Sequence, residues 1–360
     1  MGVSSEGNLL LYFGTYTERG SRGIYLSQLD ISSGRMGPVT LAAEIDSPSF
    51  LAIHPTGEFL YAVSGIGKDS PPMGSVHSFA IDRSTGALSH MNQQPSGGEG
   101  PCHVDLDTTG KHLLVANYTG GSVAVLPINR DGTLDGPTDV RQHNGSSVNI
   151  ERQEGPHPHS VNLDPNNRFV YVADLGLDKV CVYELLADGT LKQGEQLSVD
   201  LNTGAGPRHL DFHPNGEYAY VINELDSTVT AFSLDGGKLD PIQTLPTLPE
   251  EFSGINYTAD IHVAKSGRFI YGSNRGHDSI VIFSVDENTG KLTYVDREST
   301  QGIYPRNFEI DPSGLLMLVA NQDSDTVLTF NIDQQAGTLE RTGHVIEVPY
   351  PVCIQLVPLA

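Results

Sequence analysis

The chain carries a small set of residues able to do chemistry, and they recur at matching places. Cys102, His159, Arg208 and Arg306 each follow a proline, namely Pro101, Pro158, Pro207 and Pro305. His103 and His209 come one position later. Glu224 and Arg275 each follow an asparagine, Asn223 and Asn274. A Glu or His beside a bound water can act as a general base. Arginine presents a planar fork of N–H donors that holds a phosphate or carboxylate through two bonds and stabilises negative charge. Together the two kinds can bind an anion and move a proton next to it.

Such residues act together only if the fold converges them, and the repeats indicate how. A tight reversal recurs at His54-Pro55-Thr56-Gly57, Asp107-Thr108-Thr109-Gly110, Asp164-Pro165-Asn166-Asn167, His213-Pro214-Asn215-Gly216, Ala264-Lys265-Ser266-Gly267 and Asp311-Pro312-Ser313-Gly314. Successive copies lie roughly 47 to 57 residues apart, the period of propeller blades. Short runs rich in β-branched and aromatic residues flank each reversal, as strands do. A third run follows each pair, then a Gly-x-Leu signature, as at Gly132/Leu134 and Gly290/Leu292. Glycine there supplies the positive φ of a hairpin turn, and the leucine opens a fourth strand. No stretch shows convincing helical periodicity.

The count predicts a closed ring. The N-terminal fragment, residues 9–45, has a second, third and fourth strand but no first. Residues 350–358 match residues 47–55 with both prolines in register, so the C-terminus supplies the missing strand. The expected fold is all-β: one domain over residues 1–360, a seven-bladed β-propeller with four antiparallel strands per blade. Building the last blade from both termini removes an open sheet edge. In each blade the start of the first strand and the end of the second meet on one face, so those positions ring one mouth of the central channel. His54 and His213 belong to reversals and His157 to a turn, so these three are expected to be structural. Asn or Asp at the end of the second strand is ordinary turn chemistry. Asn223 and Asn274 are still counted among the substrate-binding candidates, with Arg306, His103 and His209.

Composition narrows the function. The net charge of −23 is the opposite of a nucleic-acid binder's. No apolar run reaches the length of a membrane helix. The beginning, MGVSSEGNLLLYFG, has neither a basic nor a long apolar region. The three cysteines have no CxxC or zinc spacing. A cytoplasmic protein without metal, cofactor, nucleic acid or membrane is expected, either monomer or homodimer. There is no GxSxG, HExxH or Walker loop.

The segments GPHPHSVNLDP, GAGPRHLDFHPNGEYAYVINE and NRGHDSIVIF resemble the lactonase family of seven-bladed propellers, and the resemblance spans essentially the whole chain. That family includes bacterial 6-phosphogluconolactonases and the fungal carboxy-cis,cis-muconate cyclase. Its proposed site, one His, two Arg and one Glu, falls on His159, Arg208, Arg275 and Glu224. The resemblance implies hydrolysis of a small anionic sugar lactone of the 6-phosphogluconolactone type. Glu224 or His159 would be the base, with the arginines on the anion, and no metal is implied. A cyclase acting on a muconate-type dicarboxylate, or a non-catalytic binding scaffold, are the alternatives. The Gly/Pro/Ser-rich loop at residues 65–74 departs from the family pattern and is expected to affect substrate access.

Overall fold

The structure is a computed structural model that describes residues 7–65 and 73–359, so most of the 65–74 loop lies outside the described residues. Seven antiparallel sheets follow one another around a ring. Six are consecutive four-stranded meanders. In the seventh, the C-terminal strand Pro351–Pro358 pairs with Asn8–Thr15, with Leu9 opposite Pro358 and Phe13 opposite Ile354. The predicted closure is therefore present. The outer strand of that blade is split into Arg35–Met36 and Thr40–Glu44, both paired with Gly23–Asp30. The helical content of the described residues is one 3-10 turn, Gln322–Ser324.

The blades adhere through apolar faces that alternate along their strands. Phe269, Tyr271 and Ile282 of one blade pack on Phe308, Met317 and Phe330 of the next. Leu11 and Phe13 meet Leu318, Val327 and Ile354 where the ring closes. Tyrosines of second strands cross between blades: Tyr61 Oη donates to the Gly132 carbonyl at 3.1 Å and Tyr220 Oη to that of Gly290 at 3.2 Å. Those glycines have φ of +85° and +67°, and a Cβ would come 2.3 Å from Phe59 or 2.4 Å from Tyr218. The turn signature thus seats the neighbouring blade as well as reversing the chain. His54 and His213 have the structural role expected, meeting the carbonyls of Gly110 and Gly267 at 3.1 and 2.9 Å.

One feature of the inner strands decides what faces the channel. Pro207 pairs with Asn223 and His209 with Ile222, leaving Arg208 as an extra residue. The same bulge makes Cys102, His159, Arg306 and Val352 the extra residues in their blades. A bulge places two residues opposite one and re-aims a side chain. Counting from the proline, positions 1 and 2 can both turn inward, and ordinary alternation then brings position 4 inward as well.

Candidate active site

Position 1 of the inner strands brings Ser49, Cys102, His159, Arg208, Arg306 and Val352 to one mouth, where they line two adjoining cavities. Position 2 forms a plug beneath it. There the Phe50 and His103 rings lie 4.2 Å apart and the His103 and His209 rings 5.3 Å. Above the plug is a cavity of about 390 Å³, lined by His159, Glu224, Arg275, Arg152 and Arg306 with Tyr118, Tyr257 and Tyr304.

Glu224 is the centre of the cup. It extends from the end of the strand Tyr218–Asn223 and is 4% exposed. Its Oε2 accepts from Arg208 Nε at 3.1 Å and lies 2.9 Å from Arg275 Nη2, while Oε1 meets Arg152 Nη2 at 2.6 Å. Burial alone would raise the Glu224 carboxyl, but Arg275, Arg208 and Arg152 outweigh it and hold the group at about 2. The carboxylate is thus a permanent anion and a weak base.

Each arginine is fixed by further bonds. Arg208 Nη1 donates to the Ala259 carbonyl at 2.6 Å and to His209 Nε2 at 3.0 Å. His209 Nδ1 faces Asp260 Oδ1 at 2.7 Å, so the tautomer protonated at Nδ1 leaves Nε2 free to accept. Burial first, then Arg208, pushes His209 down to about 4, which keeps it neutral. Arg275 donates to the carbonyls of Tyr257 and Thr258 and lies 5.0 Å over the ring of Tyr304. His159, 5% exposed, stands with Nε2 4.0 Å from Glu224 Oε2. Burial, then Arg208, His209, Arg306 and Arg275, hold its pKa well below the usual value, so the imidazole is neutral.

The structure therefore brings His159, Arg208, Glu224, Arg275 and Arg306 together as the sequence suggested. It moves the other candidates elsewhere. His103 and His209 belong to the plug, and His209 acts by orienting Arg208. Asn223 and Asn274 do not line the cup. Strand alternation sends Glu224 to the mouth and the preceding residue into the blade. Asn223 Nδ2 donates to Thr228 and Thr230 at 2.8 and 3.1 Å, and Asn274 Oδ1 accepts from Thr247 at 2.7 Å.

Arg152 is the residue that sequence reasoning missed. It lies in the connector 143–157 between two blades, outside any repeated register. Gln153 anchors that connector through Leu175 O and Asp178 Oδ1, at 2.8 and 2.7 Å. The signal was the length of this connector beside its counterpart at 96–100.

A larger cavity, about 490 Å³, fills the other end of the channel below the plug. Its polar groups serve the fold. Asp105 Oδ2 accepts from Leu163 N at 2.8 Å and Asp211 Oδ2 from Val263 N at 2.7 Å, each joining its inner strand to the next. No group of three or more His, Cys, Asp or Glu able to hold a metal ion occurs among the described residues, and no helix there is long and apolar enough to cross a membrane.

Comparison with known proteins agrees with the propeller fold. Residues 10–356 match the family model described as Lactonase, 7-bladed beta-propeller. The chain belongs to that family. It is 37% identical over 346 residues to a 6-phosphogluconolactonase of Bacillus subtilis, covering 96% of this chain and 97% of the relative. A 6-phosphogluconolactonase of Formosa agariphila is 34% identical over 84% of this chain and 86% of its own. The solved structure of the Pseudomonas aeruginosa periplasmic gluconolactonase PpgL superposes with a TM-score of 0.93 at 34% identity, over 98% of this chain and all of that one.

Proposed function

We propose that this lactonase-family protein hydrolyses 6-phospho-D-glucono-1,5-lactone to 6-phosphogluconate. The observation that carries the reading is a dead-ended cup in which three guanidinium groups pair with one carboxylate and a fourth, Arg306, stands apart from it, in a protein of net charge −23. A recess with that local excess draws in a small anion although the whole molecule repels it. The two 6-phosphogluconolactonase relatives support this substrate. A phosphorylated lactone, being charged, stays in the compartment where it is made, which fits a cytoplasmic location.

Hydrolysis needs a water at the lactone carbonyl, a group to take its proton, and donors for the oxyanion. His159 is the base, because it is unprotonated and faces the cup. On taking the proton it becomes an imidazolium 4.0 Å from the Glu224 carboxylate. Glu224, with guanidinium groups on both oxygens, holds Arg152, Arg208 and Arg275 in position. Arg208 Nη2 and Arg275 Nη1 are left without protein acceptors among the described residues and serve the oxyanion. Burial is the main cause of the low His159 basicity and the guanidinium groups add to it. A phosphate dianion bound among those groups cancels part of their effect, so substrate strengthens its own base.

The test is hydrolysis of phosphorylated and free gluconolactone across pH. With the phosphorylated substrate, the acid limb of kcat should lie at higher pH than that of kcat/KM, because the first reports the complex and the second the free enzyme. His159→Gln should lower kcat about 10²- to 10⁴-fold. Failure to exceed spontaneous hydrolysis on either lactone would overturn the function. Coincident limbs, or a His159→Gln variant with near-normal kcat, would remove His159 as the base.

A further inference from the structure

Two groups at the floor of the cup have no part in the chemistry above. Ser49 is 6% exposed, and its Oγ is buried without a hydrogen-bond partner among the described residues. Buried hydroxyls are nearly always paired, so an orphan points to a missing partner. Arg306, the bulged residue of its inner strand, makes no ion pair or hydrogen bond among the described residues, and its guanidinium lies 5.4 Å over the Tyr16 ring. The other three arginines of the cup all share Glu224. Arg306 is the cation there without an anion.

These groups meet in one place. Ser49, Arg306, Tyr16, Cys102 and Arg208 line a niche of about 10 Å³, and Tyr16, Cys102 and Arg306 also line the main cavity. That volume holds about one water-sized atom. The nearby acceptors are already engaged: Asn307 Oδ1 takes the Ile354 N–H at 2.7 Å. The Cys102 thiol points at the His159 carbonyl, 3.3 Å away. The Arg306 guanidinium can only donate and the Ser49 hydroxyl is free to donate, so the niche can complement one anionic oxygen.

Resting on the lactonase reading, we propose that this niche seats an oxygen of the substrate's phosphate ester, with Arg306 as the principal cation and Ser49 as the aligning donor. Ser49 and Arg306 stand on the two blades that flank the closing blade. Counting the closing blade as the first, His159 and Glu224 stand on the fourth and fifth blades, across the ring, and Arg275 on the sixth, next to the blade of Arg306. The phosphate is held on one arc, and the lactone carbonyl reaches the other. The pair is thus a specificity device for phosphorylated over free lactone.

The experiment compares wild type, Arg306→Gln, Arg306→Lys and Ser49→Ala on 6-phosphogluconolactone and on gluconolactone, and titrates each with inorganic phosphate by calorimetry. Arg306→Gln should raise KM for the phosphorylated lactone about 10- to 100-fold, while kcat/KM on the free lactone falls less than about threefold. Ser49→Ala should raise that KM about 3- to 10-fold. Arg306→Lys should rescue only part, since a point charge lacks the planar fork. Phosphate affinity should fall in the same order. Equal losses on both lactones, or phosphate binding indifferent to Arg306, would overturn the seat. The titration needs no turnover. A protein that hydrolyses neither lactone yet loses phosphate binding with Arg306→Gln would refute the lactonase reading and keep the seat. Should Arg306→Gln fail to fold, Ser49→Ala carries the same test.

Discussion

The two ends of the channel are built from the same seven strands, three residues apart, and they treat acids in opposite ways. At the upper mouth, position 1 brings Arg208 and Arg306 inward, and the single carboxylate Glu224 is held at about 2. At the lower end, position 4 brings Asp105, Asp211 and Glu309 inward. Burial raises all three, Asp105 to about 6 and Glu309 to about 7. His262, the cation of that end, lies 3.3 Å from Asp260 and is drawn chiefly toward it. Desolvation acts at both ends, so the counter-ions decide the outcome. A propeller offers one backbone position in seven environments, and here one ring of positions became a charged cup and another a seam of acids joining strands.

The most severe way to break this comparison removes a wall that both ends share. Deleting the chain after Val348 takes away Val352, Cys353, Ile354 and Val357, all buried. Each is worth about 1.5 to 3 kcal/mol. Their sum is comparable to a typical stability of about 5 to 15 kcal/mol. The truncated chain should be insoluble or lack a cooperative melting transition. A truncated protein melting within a few degrees of the full chain would show that the closing strand is dispensable.

A smaller change sharpens the contrast without removing a strand. Glu224→Gln leaves the arginines uncompensated. It should lower kcat about 10²-fold, as loss of a preorganising charge does, with KM little raised. Loss of one partner of a buried ion pair costs about 3 to 5 kcal/mol, so its Tm should also fall by several degrees at pH 8. Glu309→Gln should do the reverse: kcat stays within about threefold, and Tm at pH 8 rises by about 1 to 3 °C.

The pH dependence of these gaps follows from the signs. Unfolded glutamate titrates near 4.3. Folded Glu309 titrates at about 7, so its contribution is favourable below the unfolded value and is lost as pH rises through 7. The Glu309→Gln advantage should therefore shrink at pH 5.5 and vanish only below about pH 4.3. Folded Glu224 titrates at about 2, so its contribution is present above the unfolded value and is lost only as pH falls toward 2. The Glu224→Gln deficit should persist at pH 5.5 and close only in strong acid. Melting curves at pH 8, 5.5 and 3 measure both, and gaps of the same sign in the two variants would erase the distinction between the ends.

Much of this architecture was legible in the sequence, and what was not has a physical reason. Prolines, Gly-x-Leu turns and reversals repeat because each blade must turn and stack alike, so the blade count, the closing strand and the ring of candidate positions could be read from spacing. The bulges could not, because Pro207-Arg208-His209 looks the same whether or not Arg208 is an extra residue. Without the bulge, the positions of Arg208 and His209 relative to the cup are ambiguous, and the sequence alone assigns both to it. Asn223 and Asn274 were misplaced for a related reason: being next to Glu224 or Arg275 in a strand means pointing the other way. Arg152 lies in an irregular connector, where no period reveals a partner 72 residues away. The proposal of His159 rather than Glu224 as base rests on distances to guanidinium groups, which no spacing encodes.

The smallest expected effect concerns the thiol in the cup. Cys102 occupies the same bulge as His159, Arg208 and Arg306, with its Sγ 4.0 Å from His159 Nδ1, an arrangement that resembles a nucleophile beside its base. The electrostatics oppose that role. Burial pushes the Cys102 thiol up to about 12, and Arg208 and Arg306 offset this only in part, so it is a protonated thiol at neutral pH. Thiolate is the reactive form, and a group this far from ionisation is a poor nucleophile. The Sγ contacts with the carbonyls of Pro158 and His159, at 3.6 and 3.3 Å, give it instead the work of joining one inner strand to the next. A serine hydroxyl is slightly smaller and donates in the same direction. Cys102→Ser should keep kcat/KM within about threefold and Tm within a few degrees, as a near-isosteric change does. Iodoacetamide at pH 7.5 should alkylate the native protein no faster at this position than at Cys181. A hundredfold loss of kcat in Cys102→Ser, or rapid alkylation of Cys102 that inactivates the enzyme and is blocked by substrate, would make the thiol a participant in the chemistry of the upper mouth.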